Sequence, residues 1–299
     1  MRRRRALAAL PLLAGGRARG QALEQTLMVA GSRIELQFDD GFAADLQAAA
    51  RAWVERSAAA VARWLGRFPL ARTELLLQAV DGAGVKGGTT FGEPEPYVRI
   101  RLGRDTRADQ LADDRVLVHE MLHLAMPRLD RAHQWLHEGM ATYAEGALRV
   151  HVGQIPAQQW WGELLRGLPQ GQPAAGDRGL DHTPTWARTY WGGALFCLQA
   201  DVAMRRLHLQ RGLRQALQGV QAAGGSYAVA WPLAQLLQCA DAAVGGPVLM
   251  DLYALHRAQA VNVDLTALWR DLGVDTASPW LPRLDDRGPL AAVRQAITR

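Results

Sequence analysis

The sequence predicts an α+β fold in which a mixed α/β first half is followed by an all-helical second half. Three observations carry that reading. Segments with strand-like alternation fall between residues 32 and 103. Beyond residue 130 the strand signals stop, and apolar residues recur at helical spacing. No stretch with the composition of a flexible linker separates the halves. One unit over 23–299 is therefore expected, with an α/β lobe at 23–127 and a helical lobe at 128–299.

Each element has its own warrant. "SRIELQF" (Ser32 to Phe38) alternates as a half-buried strand. Residues 42–68 are alanine-rich, with Leu46, Ala50, Trp53, Val54, Val61 and Leu65 at helical intervals, and Gly66 and Pro69 close the helix. "TELLLQAV" (Thr73 to Val80) reads as a buried strand and "YVRIRLG" (Tyr97 to Gly103) as an alternating one. Between them lies loop material with a short extended piece around Gly88 to Phe91. A helix is expected from about Ala108 to Ala125, ended by Pro127. Further helices are expected at 136–150, 157–166, 185–207, 211–222, 229–242, 247–259 and 264–272, with a surface loop at 167–184.

The chain has a formal net charge of +5, but the excess is local. Six of the 34 basic residues lie in the first 22 positions, and without them acids outnumber bases by one. The basicity therefore gives no ground for a nucleic-acid partner. "MRRRRALAALPLLAGGRARGQA" has a charged start, a short apolar stretch interrupted by Pro11, and small residues near Ala22. That is the pattern of a signal peptide over 1–22, in either a general-secretory or a twin-arginine form. The expected location is periplasmic or secreted. No transmembrane segment is expected, because no later stretch has about 18 uninterrupted apolar residues. Cys197 and Cys239 are the two cysteines. They are too few for a four-cysteine metal site, and whether they pair is open at this point.

"VLVHEMLHLAMPRLDRAHQWLHEGMATYAEG" (Val116 to Gly146) concentrates four histidines and three glutamates. His119 and His123 are four residues apart in an expected helix, so both imidazoles face one point and can bind one cation. Glu120 is offset by about 100° around the helix, beside that point. There it can take a proton from a water held at a metal, which is the HExxH arrangement of zinc hydrolases. A catalytic zinc needs a third protein ligand. Glu138 follows His123 after fourteen intervening residues, enough for one helix to end at Pro127 and a second to return. Glu145 lies two turns beyond Glu138 on nearly the same face and suits a hydrogen bond to a ligand imidazole. His133 and His137 are rival third ligands. His137 should point elsewhere on the helix, and His133 falls in the loop.

"HEMLH" followed by "WLHEGMATYAE" resembles the gluzincin metallopeptidases, in particular the aminopeptidase N and glycyl aminopeptidase families. Those families carry HExxH and then W-L-x-E-G-x-A-x-Y-x-E. The resemblance implies a thermolysin-like fold, with a small mixed sheet and the zinc helix followed by a helical lobe. It implies Zn2+ held by His119, His123 and Glu138, Glu120 as general base, and Glu145 behind a ligand. "TYWGGALFCLQAD" is similar to the families' Y-x-K-G-A-x-V segment, whose tyrosine bonds the oxyanion and matches Tyr190. The lysine position of that segment is Gly192 here, and His182 is a rival donor without a motif. The aminopeptidase N segment G-x-M-E-N, whose glutamate holds the substrate amine, has no match in "GGTTFGEPEPYVRIRLG". That stretch keeps glycines suited to close approach of a peptide.

The expected function is zinc-dependent hydrolysis of peptide bonds in a peptide or protein substrate, lying along an edge strand near Gly87 to Phe91. The alternative is a non-catalytic peptide-binding protein on a peptidase scaffold. Cleavage of a mixed peptide library with and without a chelator separates the two.

Overall fold

The structure is a computed structural model and describes residues 23–112 and 114–299. The segment read as a signal peptide, 1–22, lies outside the described residues.

Alternation along the first third of the chain produces a five-stranded mixed sheet. Its strands are Leu23–Val29 (β1), Ser32–Phe38 (β2), Arg72–Val80 (β3), Val85–Phe91 (β4) and Tyr97–Gly103 (β5), in the order β1-β2-β3-β5-β4. β2, β3 and β5 run parallel, while β1 and β4 are antiparallel edges. Ile34, Leu36, Leu75, Leu77, Val98, Ile100 and Leu102 project from the parallel strands into the core. Parallel neighbours need a crossover, and Ala44–Leu65 (α1) supplies it between β2 and β3. Its apolar stripe, including Leu46, Ala50, Trp53, Val54 and Val61, is buried as its spacing requires.

β1 is an addition to the expected elements. It forms a hairpin with β2 through Ala30 and Gly31, at φ values of 50° and 82°, which suits a two-residue turn. Its inward residues Leu27 and Val29 alternate, but Met28 between them is apolar and exposed, which masks the period of two. β4 is longer than the expected extended piece. It starts at Val85 and carries a register irregularity between Val85 and Gly87.

The helix expected over 108–125 is split. A short 3-10 turn covers Ala108–Leu111, and the α-helix is Val116–His123 (α2). The Asp114 carboxylate accepts the backbone N–H of Leu117 at 3.1 Å, so the chain begins a new helix there. The remaining helices are Gln134–His151 (α3), Ala157–Gly167 (α4), Gly193–Leu207 (α5), Leu213–Ala222 (α6), Leu233–Val244 (α7), Val248–His256 (α8), Leu265–Leu272 (α9) and Ala291–Thr298 (α10). α7 starts later than expected because Pro232 immediately precedes it. α10 was not among the expected helices. Its buried Val293, Arg294 and Ile297 give a pattern too short to stand out.

α3 runs through the middle of the helical lobe, packed against α2, α4, α5 and α10. A Cβ on Gly139 would lie 2.2 Å from the backbone carbonyl carbon of Gly193, so these glycines permit the crossing of α3 and α5. One continuous buried apolar cluster extends from the sheet into the helical lobe. Among the described residues, no helix is long and apolar enough to cross a membrane. Cys197 and Cys239 are both free thiols.

Candidate metal centre

α2 lies against β4 on one side and α3 on the other, and its two histidines face α3. His119 and His123 sit one turn apart with ring centroids 4.9 Å apart. Across from them, α3 presents Glu138 and, two turns later, Glu145. Oε2 of Glu138 is 3.2 Å from His119 Nε2 and 3.5 Å from His123 Nε2. The ligand atoms of His119, His123 and Glu138 all lie within 4.8 Å of one another. A tetrahedral zinc with bonds of about 2 Å sets its donors roughly 3.3 Å apart, so the donor types and separations fit that ion.

The carboxylates around this point favour a positive charge on it. Burial opposes a charged His119, but hydrogen bonds to Glu138 and Glu145 prevail and push it up to about 10. Burial would raise Glu138, yet the two histidines hold it well below the ordinary carboxylate range. Glu145 is also lowered despite its burial, by His119 and then by Arg115.

The supporting contacts are specific. Glu145 Oε2 is 2.9 Å from His119 Nδ1, which turns Nε2 of that ring towards Glu138. Arg115, one turn before His119, is ion-paired with the other oxygen of Glu145. Gln134 donates to Glu138 Oε1 at 3.0 Å, leaving Oε2 to face the histidines. Glu120 is 7% exposed. Its carboxylate accepts a hydrogen bond from the Thr90 hydroxyl of β4, at 2.8 Å.

The rival ligands are occupied elsewhere. His137 donates from Nε2 to the Pro127 carbonyl at 2.8 Å, and burial beside His123 lowers it to about 3, so it is neutral. His133 Nδ1 faces Asp181 at 3.2 Å. His182 is exposed in a turn. Tyr190 sits in a π-helical turn, Arg188–Gly192, ahead of α5, a backbone irregularity common at functional sites. Its ring lies 6.3 Å from that of His119. Burial, with Glu138 nearby, pushes its hydroxyl up to about 12, so it remains a donor at neutral pH. A cavity of 260 Å³ adjoins His119 and Glu120, walled by Trp186, Tyr190 and Trp191.

Gly88 of β4 also has a packing role. A Cβ on Gly88 would fall 2.4 Å from Cγ of Glu120, so Gly88 admits the α2 side chain to the strand. Glu93, between the glycines and β5, is exposed and faces Arg128 at 3.5 Å.

No family model matches the sequence, and no curated protein matches it. Solved structures do. An aminopeptidase N family protein from Idiomarina loihiensis matches with a TM-score of 0.59 at 16% identity, over 85% of this chain and 50% of that one. An M1 zinc metallopeptidase from Deinococcus radiodurans matches with a TM-score of 0.54 at 18% identity, over 82% and 53%. The fold is that of the M1 zinc metallopeptidases. A mutant of the Deinococcus enzyme, solved with a Tyr-Ser-Ala substrate, matches with a TM-score of 0.52 at 17% identity, over 82% and 54%. The chain therefore spans about half the length of these M1 structures.

The expected α+β class and peptidase fold agree with this likeness, and its elements converge on the His119, His123 and Glu138 group. Sequence reasoning missed Thr90, Arg115 and Gln134. Only Gln134 had a local signal, four residues before Glu138 on the same helix. The other two reach their partners across elements.

Proposed function

We propose that this protein is a zinc-dependent metallopeptidase. The observation that carries the proposal is the convergence of His119, His123 and Glu138 on one point, with the buried carboxylate of Glu120 beside it. In this reading those three residues hold the zinc, and Glu145 fixes the tautomer and direction of His119. Zinc at such a site acts as a Lewis acid on a carbonyl and lowers the pKa of water towards 7. Glu120 takes the proton of the attacking water and later passes it to the leaving amine. Tyr190 donates to the oxyanion that develops on the scissile carbonyl. The substrate runs along the free edge of β4, pairing with its backbone. The cavity beside Trp186 and Trp191 takes a side chain flanking the scissile bond.

The protein is further proposed to be exported to the periplasm or beyond after loss of residues 1–22. N-terminal sequencing of protein from its host should begin near Leu23, and recovery of Met1 would refute processing.

The test of function is digestion of a mixed peptide library by zinc-loaded protein, read by mass spectrometry. Cleavage that stops on adding a chelator and returns with zinc supports the proposal. A broad library left intact by zinc-loaded protein would transfer support to the peptide-binding alternative. The cleaved positions also report endo- or exopeptidase mode.

A further inference from the structure

Glu120 is the fifth residue of α2 and carries a side chain with three rotatable bonds. Left to itself, such a carboxylate samples several rotamers, and only some would bring an oxygen to a water beside the histidines. β4 restricts it from two directions. Gly88 lies so close to the stem of Glu120 that a Cβ would meet Cγ at 2.4 Å and the carboxylate carbon at 2.9 Å. Two residues on, and so on the same side of the strand, Thr90 reaches the head of the same side chain. Its hydroxyl donates to Glu120, with carboxylate Oε2 at 2.8 Å and the backbone carbonyl at 2.9 Å. The strand thus holds both ends of one side chain.

We propose that Thr90 is a positioning residue for Glu120: its hydroxyl fixes Oε2 and leaves Oε1 to work on the attacking water. This rests on the reading that Glu120 is the base. The hydrogen bond is charge-assisted and is made in a water-poor setting, where Glu120 is 7% exposed. It removes rotational freedom from the carboxylate before substrate arrives, and a misplacement of about 1 Å in such a group is worth about 10²-fold in rate. Thr90 also stands on the edge strand proposed to bind substrate. One strand therefore aligns both the peptide and the group that acts on it. A competing role is mechanical, with the hydroxyl merely fastening β4 to the α2 carbonyl. That role affects stability and leaves the rotamer of Glu120 unchanged.

The experiment compares wild type, Thr90→Val and Thr90→Ser as zinc-loaded full chains. Val keeps the shape and removes the donor, while Ser keeps the donor. In Thr90→Val, kcat should fall about 10-fold or more with KM within about twofold of wild type, and zinc stoichiometry should not change. Thr90→Ser should recover most of the lost kcat. Crystal structures of wild type and Thr90→Val should show the Glu120 carboxylate displaced by about 1 Å or more in the variant. Retention of full kcat in Thr90→Val overturns the proposal. So does an equal loss in Thr90→Ser, which would assign the effect to the methyl group. If wild type cleaves no peptide, the metallopeptidase reading fails, and the two crystal structures alone decide. A moved Glu120 then supports its restraint by Thr90, and an unmoved one overturns it.

Discussion

Nδ1 of His119 lies 2.9 Å from Oε2 of Glu145, and Arg115 is ion-paired with the opposite oxygen of the same carboxylate. The imidazole is therefore aimed by a buried acid that is itself held from the protein surface. Supports of this kind typically contribute 10–100-fold to metal affinity. Glu145→Gln should weaken zinc binding by about that factor, and Arg115→Ala by about 10-fold or less, since it acts one contact further away. Competition against a chromogenic chelator measures both. Equal affinity in Glu145→Gln and wild type would remove Glu145 from the account.

Tyr190 stands in the π-helical turn with its ring 6.3 Å from that of His119. Tyr190→Phe should retain zinc and lose about 10²-fold in kcat if the hydroxyl is a principal oxyanion donor. Single-turnover kinetics on one cleaved peptide read this directly. Loss of zinc in this variant would show that the residue holds the metal site together instead.

Gly139 and Gly193 set the distance between α3 and α5. Gly139→Ala would place a methyl group 2.2 Å from the Gly193 backbone, which cannot rotate away. A destabilisation of about 1–3 kcal/mol or more is expected. Glu138 immediately precedes Gly139 in the chain, so zinc affinity should fall too. Chemical denaturation with an unchanged midpoint would contradict the crossing described.

His256 is buried at the end of α8, its ring edge-on to Phe196. Burial, with the positive charge of Arg188 nearby, lowers it to about 4. The folded chain keeps it neutral down to about pH 4, whereas the unfolded chain protonates it near pH 6.5. Its contribution to stability is therefore complete above about pH 6.5 and declines as pH falls towards 4. His256→Phe removes that proton uptake. Between pH 7 and pH 5, wild type should lose roughly 1–2 kcal/mol more than the variant. Parallel losses in the two proteins would mean that His256 does not sense pH.

What the sequence disclosed about the site depended on distance along the chain. His119, Glu120 and His123 fall within one helical stretch, where spacing alone determines which face each occupies. Glu138 and Glu145 lie on the next helix, and their spacing of seven put them on one side of it. Thr90 and Arg115 were invisible because their partners are 30 residues away in each case. Neither partnership follows from local periodicity. In the fold, the parallel strands were legible through burial on one face. β1 was masked by exposed Met28, and α2 was shortened by a carboxylate, Asp114, that competes for a backbone N–H.

The central claim is that Glu120 serves the water and not the metal, and Glu120→Gln tests it most directly. Zinc stoichiometry and peptide turnover should be measured on the same preparation of variant and wild type. The account predicts about one zinc per chain in both, with turnover in the variant reduced roughly 10²-fold or more. A zinc-loaded Glu120→Gln protein that cleaves peptides as fast as wild type would contradict it.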